Sequence, residues 1–568
     1  MTAVTELGKQ PGFAELFTPK LVTMLREGYR IADLKADLVA GLTVAIVALP
    51  LSMAIAIASG VTPDRGLYTA IAGGFVVSLM GGSRFQIGGP AGAFIVLVAA
   101  TAERHGVDGL ILATLLSGVI LLAIGLLRLG TFIKYIPFPV TVGFTAGIAV
   151  IIFASQLKEL FGLTLEKEPG PLVAKLVALA GAWPTVDAPT VAVALASIAV
   201  IVVLRRLRPH WPGFLIAIAL AAFGTWLLGL DIATIGTRFG GIPASFPAPR
   251  LPDFSLEKVT AVLPSALSFA LLGAIESLLS AVVADSMSGR RHRSNCELVA
   301  QGAANISSAL FGGFCVTGTI ARTATNVRAG ARGPVSGMLH SMFLLLFMLI
   351  AAPLAAYIPL AALAGMLAVV AWNMAEKHEF WTLLRTSRGD AVVLLTTFLL
   401  VIFRDLTEGI LVGFGIGALL FLHRMAQAVE IESGHQGLVD LPDARDDRTP
   451  YDASLVTDPR VIVYRISGAF FFGSAASVAA ALERIGEHPK AYVIDFAEVP
   501  VLDSTAAATI AAFARKAHRR GAATYVSGVR PQIRRVLLAH GVRPPWVHFK
   551  GRLADAVATA HRKIGDMP

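Results

Sequence analysis

The stretch from Leu310 to His340 reads Leu-Phe-Gly-Gly-Phe-Cys-Val-Thr-Gly-Thr-Ile-Ala-Arg-Thr-Ala-Thr-Asn-Val-Arg-Ala-Gly-Ala-Arg-Gly-Pro-Val-Ser-Gly-Met-Leu-His, and it lies between apolar runs long enough to span a bilayer. Its own apolar pieces are too short, and its glycines and polar groups too many, for an ordinary span. Irregular backbone at membrane depth survives only where protein buries it or where it lines a wet cavity. The stretch therefore marks a candidate site. A second stretch, Gly81 to Phe94, has the same order: a Gly-Gly pair, a short β-like piece (Phe85 to Ile87, against Phe314 to Ile320), then a helix that starts from a turn of small residues. Tyr135-Ile136-Pro137 recurs as Tyr357-Ile358-Pro359, and the offsets of these two matches, 222 and 231 residues, are similar. Paired interrupted segments at matching places in two halves point to the binding site of a repeat-built transporter.

The chain has 568 residues, of which 55% are hydrophobic and 15% charged, with a mean hydropathy of +0.70. A soluble domain carries about 25% charged residues, so most of this chain belongs in a membrane. Cys296 and Cys315 have no CxxC or Cys/His spacing and imply neither a disulfide framework nor a metal site. Residues 1–37 mix both charges without the apolar core of a secretory signal. We read them as a cytoplasmic segment and expect the first span to stay in the mature protein. The net charge of +10 would suggest nucleic acid in a soluble chain. Here the basic residues recur between spans, which reads as topology.

Spans can be drawn near 38–58, 66–80, 108–127, 137–155, 189–204, 213–230, 260–284, 297–312, 335–352, 359–374, 390–403 and 408–423. The interrupted segments near 87–102 and 314–331 bring the total to 14 elements in an α-helical polytopic domain over 38–425. Arg84, Arg128, Lys134, Arg205, Arg290 and Lys377 follow even-numbered elements, so the positive-inside bias makes that side, and both termini, cytoplasmic. After Arg424 the texture changes. Residues 426–458 read as a linker, with Glu430 to Pro459 rich in Asp, Gly and Pro. In 459–568 strands (Val461 to Ile466, Ala491 to Phe496, Ala523 to Ser527) alternate with helices (Ala475 to Ile485, Ser504 to Arg520 and two more), the pattern of a small α/β domain.

Several pieces together resemble the SulP family of sulfate-permease-like anion transporters with a C-terminal STAS domain. They are Asp37-Leu38-Val39-Ala40-Gly41-Leu42-Thr43 running into Leu49-Pro50-Leu51-Ser52-Met53-Ala54, then Gly66-Leu67-Tyr68, the Gly88-Gly89-Pro90 turn, the Arg322 segment and Asp503-Ser504-Thr505. Gly273 to Asp285 and Ile320 to Gly330 look most like the bacterial proton-linked C4-dicarboxylate branch. Leu51 stands where many sulfate-type members carry Gln. The resemblance implies seven plus seven inverted repeats, an anion held between two half-helices, a homodimer and a bacterial cytoplasmic membrane location. It also implies that Leu51 and Ile55 on the first span line the site.

Each half-helix N-terminus offers about +0.5 of effective charge and unpaired N–H groups. Helices beginning near Pro90, Ala91 and Gly92 and near Ala321, Arg322 and Thr323 would together suit an anion of one or two charges, with the Arg322 guanidinium adding a unit. The plainer role of the glycines is close helix packing. Arg322 facing lipid would cost several kcal/mol, so it needs a partner, either the anion or a structural pair with Glu276. A carboxyl group inside an apolar span can be neutral in one access state and charged in another, as carrying a proton requires. Family members coupled to sodium place an acid and a hydroxyl at the positions of Glu276 and Ser280. Protons are the expected coupling ion, with sodium the alternative and no cofactor. His105, His292 and His340 show no ligand spacing and read as loop or packing residues. Ser504 matches the serine phosphorylated in STAS relatives, while the plainer role for Asp503 or Ser504 is an N-cap. A cytoplasmic protein partner at this domain is expected, and nucleic acid is not.

The leading expectation is proton-coupled uptake of succinate or fumarate. Sulfate or bicarbonate symport is the alternative within the family, and a channel or a membrane-tethered signalling protein the alternative outside it. An enzyme is not expected, because the chain lacks a phosphate loop, a nucleophile with a partnered base and a metal cluster.

Overall fold

Runs of Leu, Ile, Val and Ala close their backbone hydrogen bonds within one segment, the requirement for crossing lipid, and they are helical here. The computed structural model describes residues 12–131, 136–165, 168–208, 211–404, 406–427, 429–433, 460–483 and 489–565. Lys134, Tyr135, Ile485 and residues 434–459 of the expected linker lie outside this set. Among the described residues, 8 helices are long and apolar enough to cross a membrane, from Ile31–Ala58 to Leu406–Gln427. Shorter helices, among them Gly74–Met80, Gly213–Leu228, Ser294–Leu310, Ile320–Arg328 and Arg388–Phe403, occupy the other stretches drawn as spans. The first helix long enough to span begins at Ile31, not at residue 38. Its extra turns carry Asp33, Lys35 and Asp37, which conceal them from a search for apolar windows, and Asp33 secures the start by accepting from the Arg30 N–H at 3.0 Å.

The chain divides into two compact units, Met1–Phe414 and Gly415–Pro568. The last apolar helix, Leu406–Gln427, straddles that division, which precedes the boundary expected at residue 425. In the first unit, Ile31–Ala58 packs on Val335–Ala355, and Ile95–Leu126 packs on Leu256–Ser288 and Ser294–Leu310. Phe138–Phe161 packs on Leu360–Met374 and Arg388–Phe403. Small residues allow the closest crossings, as membrane packing requires. A Cβ on Gly118 would lie 2.7 Å from the Gly302 carbonyl oxygen, and one on Gly302 2.6 Å from that of Gly118. Gly106, with φ 70° and ψ −178°, breaks the helix over Ile95–Leu126. Phe138–Phe161 and Leu360–Met374 each start directly after a proline with the same extended backbone, Pro137 (φ −62°, ψ 139°) and Pro359 (φ −69°, ψ 136°). Phe223, Trp226, Leu346, Ile350 and Leu354 are turned outward, where apolar side chains meet lipid without cost.

The second unit holds a five-stranded sheet in the order β3 (Glu430–Ser433), β4 (Val461–Ser467), β5 (Ala491–Glu498), β6 (Ala523–Ser527), β7 (His548–Phe549). β3 runs antiparallel to β4 and the other pairs are parallel. β3 corrects the linker expectation: Glu-Ile-Glu-Ser is too short and polar to announce a strand, and pairing to β4 makes it one. β7 was likewise below the threshold of pattern. Helices Phe472–Glu483, Ser504–Arg519 and Pro531–Ala539 bury Val478, Ile510 and Leu537 on one face of the sheet. Helix Leu553–Gly565 covers the other face through Ala556, Val557 and Ala560.

Candidate anion-binding site

The two glycine-rich interruptions meet. β1 (Gly88–Gly89) pairs antiparallel with β2 (Thr317–Gly318), with Gly88 opposite Gly318 and Gly89 opposite Thr317. Each strand runs directly into a helix, through Pro90 and Ala91 to the turn Gly92–Phe94 and the helix from Ile95, and through Thr319 to Ile320–Arg328. Neither helix start is capped by a side chain. Their first N–H groups therefore remain available to a ligand, the usual basis of anion binding at a helix N-terminus. Side chains brace the crossing from behind. Asn305 grips Val316 at both ends, donating to its carbonyl at 2.8 Å and accepting from its N–H at 3.0 Å. The Thr319 N–H donates to the Ile87 carbonyl at 3.0 Å, and the Ile87 N–H donates to Thr323 Oγ1 at 3.1 Å.

Arg322 is 2% exposed. Its Nη2 donates to Ser52 Oγ on the first span at 3.2 Å, while Nε and Nη1 have no hydrogen-bond partner. The structural pair with Glu276 is not formed, since no ion pair involves either residue among the described residues. The physical reason lies in placement: the guanidinium is directed to the first span and to Gly89, where a Cβ would collide with Nη1. A buried guanidinium without an acid is an uncompensated charge, and such a charge needs an anion.

Of the other expected residues, Leu51, Ile55, Pro90, Ala91 and Thr323 are buried around this crossing and Gly92 is partly so, whereas Ala321 is exposed. A Cβ on Gly92 would stand 3.4 Å from Ile152 and 3.5 Å from Met374, placing that turn against two further helices. Glu276 is 7% exposed on Leu256–Ser288. One turn later Ser280 donates to Thr323 Oγ1 at 3.1 Å, tying this helix to the half-helix that carries Arg322. Ser504 is the exposed first residue of its helix, and the cap is Asp503, which accepts from the Ala506 and Phe472 N–H groups at 2.9 Å each.

Sequence reasoning missed three residues. Ser52, beside the expected Leu51, accepts from Arg322. Glu297 is wholly buried and accepts from the Ser83 N–H at 3.0 Å, from Gln86 at 3.0 Å and from Gln301 at 3.1 Å. Gln86 also donates to Ser277 at 2.8 Å, so this network reaches the residue next to Glu276. The spacing Glu297, Gln301, Asn305 is a polar stripe at helical intervals within a span, a signal present in the sequence. His340, read as a packing residue, is fully buried and neither ring nitrogen has a partner. His292, in the loop after Leu256–Ser288, is paired with Asp285 of that helix at 2.6 Å.

Residues 34–397 match the sulfate permease family and residues 452–556 the STAS domain. YvdB of Bacillus subtilis (strain 168), which carries a provisional name as a sulfate transporter, is 38% identical over 518 residues, covering 91% of this chain and 95% of YvdB. The bicarbonate transporter BicA of Synechocystis is 32% identical over 521 residues, covering 89% of this chain and 90% of BicA. Among solved structures, the murine solute carrier 26 member A9 anion transporter in its inward-facing state superposes with a TM-score of 0.82 at 18% identity, over 99% of this chain and 97% of that one, a likeness of fold. The transmembrane domain of a cyanobacterial BicA superposes with a TM-score of 0.60 at 32% identity, over 68% of this chain and 98% of that domain. A family match over most of the chain, relatives that are transporters rather than enzymes, and two uncapped half-helices beside an unpaired buried arginine lead to one conclusion: the chain belongs to the sulfate permease family, as a multi-pass membrane anion transporter with a C-terminal STAS domain.

Proposed function

We propose that this protein is a secondary active transporter that takes up a C4-dicarboxylate such as succinate or fumarate together with a proton, by alternating access. The observation that carries the reading is the buried Arg322 guanidinium with two unpartnered nitrogens and no acid to balance it. Its unit charge and two helix N-termini of about +0.5 each sum to about +2. A dianion neutralises that sum when Glu276 holds a proton, and overshoots it by one charge when Glu276 is ionised. Proton and dianion thus favour each other's entry. Leu51, Ile55, Pro90, Ala91, Gly92, Ala321, Arg322 and Thr323 surround the anion in this reading, and Glu276 with Ser280 forms the coupling site. The protein then works in a bacterial cytoplasmic membrane as a homodimer, with both termini in the cytoplasm. Bicarbonate is the second reading, favoured by the likeness to BicA; a monoanion balances the same charges when Glu276 is ionised, and sodium at Glu276 and Ser280 is the alternative coupling ion.

Uptake of labelled succinate into proteoliposomes under a proton or a sodium gradient, with bicarbonate and sulfate as competitors, tests both. Concentrative succinate uptake driven by protons alone is the expected result, and Glu276→Gln then retains exchange of succinate across the membrane but loses pH-driven accumulation. Unchanged accumulation in Glu276→Gln refutes the coupling role. Sodium-driven bicarbonate uptake without succinate uptake replaces the first reading by the second.

A further inference from the structure

The segment Ser504 to Ala554 contains ten Lys and Arg and neither Asp nor Glu across 51 residues. Removing these ten from the chain's 48 Lys and Arg leaves 38, which equals its 38 Asp and Glu. The net charge of +10 is therefore located in one segment of the STAS domain. The basic residues that recur between spans are balanced in number by acids elsewhere outside this segment.

The two helices of the segment form one layer. Helices Ser504–Arg519 and Pro531–Ala539 pack side by side against the same face of the sheet. Burial of Ile510, Ala514, Ile533 and Leu537 leaves Arg515, Arg519, Arg520, Arg530, Arg534 and Arg535 exposed. A solvated surface ordinarily interleaves both signs. Some of these charges are also set unfavourably. Arg515 and Arg519 are like charges one turn apart, which is destabilising, while Lys516 and Arg519 in the last turn complement that helix's dipole. Arg530 and Arg534 stand at the start of a helix with no acid in its first turn, the end where the macrodipole disfavours cations. Two arginine-bearing helices without an acid between them, one with its cations at the unfavourable end, fit a polyanionic partner.

We propose that this face docks on anionic lipid headgroups of the bilayer that the chain itself spans. Tether length favours lipid over a soluble polyanion. β3 begins at Glu430, three residues after the last apolar helix ends at Gln427. Three residues reach about 10 Å when extended, so the tether keeps lipid headgroups at high effective concentration around the domain. Leu538, 40% exposed among these arginines, supplies an apolar contact suited to the headgroup boundary.

The test uses the full chain in nanodiscs of phosphatidylcholine alone or mixed with phosphatidylglycerol, read by hydrogen–deuterium exchange. Exchange in Ser504–Arg519 and Pro531–Ala539 should slow in the anionic discs, return to the neutral-lipid rate at high salt, and lose its lipid dependence in the R530E/R534E/R535E variant. Lysine replacements at the same positions should retain the protection, and Leu553–Gly565, on the opposite face, should not respond. Protection of β5 reports that each variant is folded. Equal exchange in both lipids with β5 intact overturns the proposal. So does protection by an added acidic protein or nucleic acid in neutral discs without any effect of anionic lipid, which would assign the face to a soluble partner.

Discussion

At Gly89 the missing Cβ leaves the space that Arg322 Nη1 occupies. Gly89→Ala should displace the guanidinium and weaken the anion by about ten- to a hundredfold, the equivalent of one charge-assisted hydrogen bond of about 1.5–3 kcal/mol, as an increase in the half-saturating substrate concentration of a protein that still purifies as folded. An unchanged value would mean that Arg322 does not act on the anion. Ser52→Ala should have the same sign and a smaller size, since it removes a single 3.2 Å contact. Much at this scale was legible. Gly88, Gly89, Pro90 and Arg322 stood out because glycines and a cation inside apolar sequence have few structural uses. Ser52 was not legible, because a serine in a span needs no explanation until its neighbour is seen. His340 was read as packing, and only the structure reveals that burial leaves both its nitrogens unpartnered.

Among the elements, the half-helices were predictable from their breaks, and their contact was not. Nothing in a two-residue strand such as Gly88–Gly89 specifies its partner, and the register to Thr317–Gly318 comes from Asn305 and Ile87 holding the flanks. Asn305→Ala should leave the Val316 N–H and carbonyl buried without partners, at about 1–3 kcal/mol for each, lowering the thermal midpoint of the detergent-solubilised protein. A midpoint equal to that of the parent would mean that the clamp contributes nothing. In the STAS domain, Asp503→Ala removes the cap of Ser504–Arg519 and a tie to the Phe472 N–H, a loss of about 1–2 kcal/mol. Ser504→Ala, at an exposed position, should stay within about 0.5 kcal/mol. Comparable losses from both would reverse the assignment of the cap. The sequence pattern Asp-Ser-Thr before a helix left Asp503 and Ser504 equally eligible, and geometry alone separates them.

For the whole molecule, hydropathy was enough to divide a membrane part from a soluble one, while the placement of charge escaped a reading made loop by loop. Deleting the residues after Glu430 should impair assembly, regulation or trafficking and leave the ranking of competing anions unchanged in proteoliposomes; an altered ranking would tie the STAS domain to selectivity. The doubly braced crossing has a kinematic consequence. The two segments pair in antiparallel register with Gly88 opposite Gly318 and Gly89 opposite Thr317, and the Thr319 N–H to Ile87 carbonyl bond continues the seam. The cradle therefore has no hinge of its own. Spin labels on its two sides should keep one separation through a transport cycle, and labels between the cradle and Phe138–Phe161 should report two, so that the bound ion is carried as fixed cargo while its surroundings change.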